Sequence, residues 1–152
     1  MGRRLTASGF LSQEEQDRIK AAIAATEAAC SAEVRLCLET ALPKETQDPE
    51  LRARQVFEQL GMHATEAHNG VLFYLAVKSR RFAVLGDEDL HRRVGEGFWQ
   101  DVIAGMTGHF REDRFGDGLC AGIAQVGERL AEYYPYMPDD RNELSDEIDF
   151  KD

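Results

Sequence analysis

The apolar positions along the chain switch between a period of 3.6 and a period of 2, and the switches mark the elements. Ser12-Gln13-Glu14-Glu15 is a capping box that opens a helix: the Ser hydroxyl and the Glu carboxylate each accept from an N–H that a first turn leaves orphaned. Leu11 stands where a hydrophobic staple would. Ile19, Ala22 and Ile23 share one face, Thr26 interrupts it, and the helix ends near Cys30. Glu33 to Glu39 then alternates, with Val34, Leu36 and Leu38 on one side and Glu33, Arg35 and Cys37 on the other, which predicts a half-exposed strand near a sheet edge. Asp48-Pro49 starts the next helix, because Asp is a good N-cap and Pro lacks only an N–H that the first turn would waste. That helix carries Val56, Phe57 and Leu60 and stops at Gly61.

After a connection from His63 to Gly70, Val71 to Val77 is continuously apolar and predicts a central strand covered on both faces. Lys78 to Arg81 is a polar turn. Phe82-Ala83-Val84-Leu85 follows at once, so the two strands form an antiparallel hairpin. Asp87 is placed to cap a short helix through about Val94. A longer helix carries Trp99, Val102, Ile103, Met106 and Phe110, and a last one carries Leu119, Ile123, Val126, Leu130 and Tyr133 before Pro135. The order is α-β-α-β-β-α-α-α, an α/β chain with a small mixed sheet of about three or four strands and helices on both faces. Residues 1–10 are expected as an N-terminal extension, 11–136 as one α/β domain and 137–152 as an acidic, flexible tail.

Composition narrows this picture in three ways. A chain of 152 residues fits one domain and buries roughly 70% of its unfolded surface without staples. The net charge of −10 argues against nucleic acid, whose phosphates an acidic surface repels. Half of that excess lies from Pro138 onward, so the body is only mildly acidic; the tail is a candidate docking peptide for a basic protein partner, with plain solvation as its default. Three cysteines, Cys30, Cys37 and Cys120, show no zinc or redox spacing and read as reduced residues in a cytoplasmic setting. No apolar run is long enough to span a membrane. The N-terminus fits a loose myristoylation pattern and carries twin arginines, but no apolar region follows, so no signal peptide is expected.

Candidate chemistry is sparse. His63, His68, His91 and His109 are scattered, and no Ser or Cys is paired with them. Gly95-Glu96-Gly97 lacks the third glycine of a dinucleotide fingerprint and follows a helix rather than a strand. The aromatic stripe Phe98, Trp99, Met106 and Phe110 reads as core packing. What remains is oxygen on loops: Glu33 before the first strand, Asn69 before the second, Asp87 and Glu88 after the third, and Glu112, Asp113 and Asp117 in the late loop. Hard cations such as Ca²⁺ and Mg²⁺ take clustered oxygens of this kind. Solvated acids and a capping role for Asp87 are the plainer alternative.

Five segments resemble the TPM domain. They are Ser31-Ala32-Glu33-Val34, the run Ala53-Arg54-Gln55-Val56-Phe57-Glu58-Gln59-Leu60-Gly61, Asn69-Gly70-Val71-Leu72-Phe73-Tyr74, Arg81-Phe82-Ala83-Val84-Leu85-Gly86-Asp87, and the stretch from Phe110 to Leu119. The resemblance covers roughly Leu11 to Tyr136 and is to the short, free-standing branch. It implies a three-layer α/β/α sandwich and a cleft of loop carboxylates for a divalent cation, with Glu33, Asn69, Asp87, Glu88, Asp113 and Asp117 as candidate ligands. It also implies two classes of function: a cation-binding accessory module, or a metal-assisted acid phosphatase hydrolysing phosphomonoesters. For the second, Asp87 is the candidate nucleophile or ligand and Arg81 and Arg114 are candidate phosphoryl clamps. Asp113 stands where a glycine is usual. No nucleophile–base pair is assembled in the sequence, which favours the module.

Overall fold

The computed structural model describes residues 3–137 and 148–152. Among them are α1 (Ala7–Phe10), α2 (Gln13–Ala29), β1 (Val34–Glu39), α3 (Pro49–Gln59), β2 (Val71–Ala76), β3 (Arg81–Gly86), α4 (Glu88–Val94), α5 (Glu96–Arg111), α6 (Phe115–Tyr133) and β4 (Asp149–Lys151). The strands form one mixed sheet in the order β3-β2-β1-β4. β1 runs parallel to both β2 and β4, while β2 and β3 are the expected antiparallel hairpin.

The local signals explain the helix starts. Ser12 accepts from the Glu15 N–H at 3.1 Å while Glu15 accepts from the Ser12 N–H at 2.9 Å, so the capping box is closed. Asp48 caps α3 by accepting from the Glu50 N–H, and Asp87 caps α4 by accepting from the Glu88 N–H. The sheet sorts its side chains by parity. Val34, Leu36 and Leu38 with Val71, Phe73 and Leu75 meet Ile19, Ile23, Val102, Met106 and Ile123 from α2, α5 and α6. Cys37, Leu72, Tyr74 and Ala76 face the other way, onto Ala53, Val56 and Phe57 of α3 and onto Met62. Helices therefore cover both faces, heavily on one and by a single long helix on the other.

Three expectations change. β1 is neither an edge nor half exposed: all six of its residues are buried. Its outward row is covered by α3, where Glu39 takes two Arg52 hydrogen bonds of 2.9 Å and one from the Tyr74 hydroxyl at 2.6 Å. Its second edge is covered by β4. Of the expected tail, residues 138–147 lie outside the described residues, but Asp149–Lys151 are strand and Ile148 is buried. The stretch expected as an N-terminal extension is also packed, since Ala7 and Phe10 belong to the main core. α1 and β4 are joined where the Ser8 N–H donates to Asp152 Oδ1 at 2.9 Å. Among the described residues no helix is long and apolar enough to cross a membrane.

Candidate functional site

Strand direction decides which candidate residues can meet. β1 and β2 start at the same end of the sheet, and β3 finishes there. One step beyond each strand, the Val71 N–H donates to the Glu33 carbonyl and the Asp87 N–H donates to the Gly70 carbonyl, both at 2.9 Å. Glu33, Asn69, Asp87 and Glu88 are thus gathered at one end. Asp113 and Asp117 are not with them. They flank the start of α6, beside Arg3 and the N-terminal half of α2, at the other end of the sheet, where Arg80 of the β2–β3 turn lies 5.7 Å from the centre of the Phe115 ring. There Arg3 bonds both Glu15 and Asp113, and Arg18 bonds Asp117 at 2.8 Å. The six oxygen-bearing candidates are divided between the two ends.

The far end is a structural latch. Arg3 Nη1 and Nη2 donate to the two Glu15 carboxylate oxygens at 2.6 and 2.9 Å, and Glu15 Oε2 also accepts from the Gly116 N–H at 3.1 Å. Burial alone would raise the Glu15 carboxyl; the Arg3 guanidinium and the Ser12 and Gly116 N–H groups together hold it down at about 2. Asp113 has a left-handed backbone, with φ of 61°. The Asp113 N–H bonds the Phe110 carbonyl and the Arg114 N–H bonds the His109 carbonyl, both at 3.0 Å. That is a Schellman ending for α5, whose left-handed position is why glycine is usual where Asp113 stands. Arg114 is held by Glu112 at 2.6 Å.

Arg81 and Asp87 stand at opposite ends of β3. Six strand residues span roughly 20 Å, and Arg81 Nη1 is turned to the Gln47 carbonyl at 3.0 Å. Neither Arg81, at the far end of β3, nor Arg114, which pairs with Glu112, stands at Asp87 as the expected phosphoryl clamp.

The near end is more open to chemistry. A cleft of about 580 Å³ runs along β3, walled by α3 on one side and by α4 and α5 on the other. Of the six candidate ligands, only Asp87 and Glu88 line it. The Asp87 side chain is 10% exposed; Oδ1 caps α4, while Oδ2 is buried and accepts no hydrogen bond. His68 Nδ1 lies 3.5 Å from that oxygen, an ion pair only when the imidazole is protonated. Asn69 is 2% exposed and its Nδ2 also finds no acceptor. Glu33 is buried at the start of β1, behind the cleft. Among the described residues no three His, Cys, Asp or Glu side chains are grouped to hold a metal ion.

Two features escaped the sequence reading. Tyr134, past the end of α6, donates through its hydroxyl to Asp89, which also takes Arg92 and Arg93 at 2.8 Å each. Trp99 is core, as expected, yet it also walls the cleft, with an indole N–H that has no acceptor. No local signal marks either role, because each depends on where distant helices end.

Residues 6–129 match the TPM domain. The chain is similar to the BA42 protein of the psychrophilic bacterium Bizionia argentinensis, at 36% identity over 92% of this chain and 94% of that one, with a TM-score of 0.83. Two more distant likenesses speak to the fold alone. The N-terminal domain of a P. gingivalis protein has 19% identity and a TM-score of 0.69 over 86% of this chain and 83% of that one. The N-terminal domain of the cg2496 protein of Corynebacterium glutamicum has 16% identity and a TM-score of 0.60 over 79% and 74%. Comparison with curated proteins returns no match. With the family matched over most of its length and a relative of this identity aligned nearly end to end, the chain belongs to the TPM domain family.

Proposed function

We propose that the protein is a non-catalytic binding module that takes a divalent cation, Ca²⁺ or Mg²⁺, at the Asp87 end of the cleft. The observation that carries this reading is Asp87 Oδ2, a buried carboxylate oxygen with no hydrogen-bond donor. A buried carboxylate oxygen left without a donor costs free energy, and a cation offsets that cost. Asp87 offers the first protein oxygen and Glu88, next in the chain, the second. Water and loop carbonyls complete the shell, so the affinity falls on the order of 10⁻³ M, the weak end of the range for such sites. Asp113 and Asp117 take no part, because Arg3 and Arg18 already hold them.

The test is a chemical-shift titration of the chelator-stripped chain. With Ca²⁺ or Mg²⁺ the amides of residues 68–70 and 87–89 move saturably, and those of residues 112–118 stay still. Movement confined to 112–118, or none at roughly ten times the expected millimolar constant, removes the reading.

A further inference from the structure

β3 is an outer strand of the sheet, and its edge is unusually bare. Natural edges are blunted by brevity, charge, proline or a bulge. β4, at the opposite side, is three residues long and carries Asp149 and Lys151. β3 pairs with β2 over six consecutive residues without a bulge, contains no proline, and has one charge, Arg81, at its very start. Because the Asp87 N–H bonds the Gly70 carbonyl directly opposite, the alternation of an antiparallel ladder turns the backbone groups of Leu85, Ala83 and Arg81 inward. Those of Phe82, Val84 and Gly86 face outward. Among the described residues no loop or side-chain bond reaches the three outward pairs.

This open edge is the floor of the cleft. Trp99 and Ile103 of α5 stand on one side, and Ile103 is 37% exposed. The rim is acidic: Asp48, Glu50, Glu58, Asp87, Glu88 and Glu96 line it against a single arginine, Arg54, which is itself 3.8 Å from Glu50. An unpaired edge lacks a strand, Ile103 leaves apolar surface uncovered on the wall, and the rim carries an excess of negative charge. We infer that the cleft receives an extended segment of another protein, with basic and apolar residues alternating, added as a fifth strand beside β3. Alternate side chains of an added strand project to opposite faces. The apolar row lies against Trp99 and Ile103, and the basic row against Asp48, Glu50 and Glu58 of the α3 wall. A second copy of this chain is the poorer occupant, because pairing two such edges brings two acidic rims together. The inference rests on the chain being a binding module but not on its cation.

The experiment uses the full chain in EDTA, so that its failure and the failure of cation binding are separate results. The probe is a synthetic octapeptide of alternating Lys and Val; the controls are its Glu–Val counterpart and a Lys–Val peptide N-methylated at every residue. At saturation, hydrogen exchange at Phe82, Val84 and Gly86 slows at least tenfold, while Ala83 and Leu85, already inside the ladder, change little. Val84→Pro removes an outward N–H without touching the β2 ladder and weakens binding at least tenfold. Should that variant fail to fold, Glu58→Lys with Glu96→Lys, both on exposed side chains, gives the same loss. Unchanged exchange at the three amides overturns the inference, as does equal binding of the Glu–Val or N-methylated peptide. Concentration-dependent dimerisation that protects the same amides without peptide assigns the edge to a second copy and overturns it too.

Discussion

Single residues at the two ends of the sheet have opposite characters. Glu15 is fully engaged: it accepts from Arg3, Ser12 and Gly116, and its carboxyl is held at about 2 against an ordinary value of 4.5. An unfolded chain therefore takes up this proton first. The stability Glu15 contributes is complete above about pH 4.5 and drains away as the pH falls toward 2. Glu15→Gln should cost about 2 kcal/mol at neutral pH, as expected for a charged hydrogen-bond network, and should flatten the acid limb of a stability–pH profile measured by urea unfolding. A limb as steep as the wild type's contradicts this. Asp113 carries a smaller strain. Glycine at its left-handed position relieves about 1 kcal/mol, while the exposed pair with Arg3 is worth a few tenths. Asp113→Gly should therefore raise the urea midpoint slightly, and a fall would show that the Arg3 pair dominates. Cys37 is inert by construction: burial, with Asp149 beside it, pushes its thiol far above the usual range.

At the scale of elements, what the sequence discloses is what short-range chemistry decides. The Ser12 box, the Asp48-Pro49 start, the Asp87 cap and the Val71–Val77 run each carry their own signal, and each became the expected element. β4 has no such signal. Asp149-Phe150-Lys151 is a strand only because β1 offers it a parallel edge, a contact between residues more than a hundred positions apart. The same missing contact made β1 read as an edge, while the half-exposed reading missed the cover that α3 gives its outward row. Deleting residues 148–152 should destabilise the chain by about 2 kcal/mol or more, since it uncovers buried Ile148 contacts and the β1 edge together. Urea unfolding and light scattering would register the loss and the resulting association; unchanged values would mean that β4 contributes nothing. The candidate site was legible in part. Asp87 and Glu88 line the cleft, whereas Asp113 and Asp117 belong elsewhere. The hairpin predicted from Phe82–Leu85 already carried the deciding fact, because a strand running from Arg81 to Asp87 holds those two residues at opposite ends of the sheet.

For the whole molecule, the two ends of the TPM fold differ: the Asp87 end is the proposed ligand site, while Arg3 and Arg18 hold Asp113 and Asp117 at the other. A ligand taken only by the folded state must raise its melting temperature. The most direct measurement is therefore thermal unfolding of the chelator-stripped protein with Ca²⁺ and Mg²⁺ titrated separately, in the wild type, Asp87→Asn and Asp117→Asn. The expected result is a saturable rise in the wild type and in Asp117→Asn, and none in Asp87→Asn. A rise that survives Asp87→Asn but vanishes in Asp117→Asn, or no rise in any of the three at millimolar cation, would contradict it.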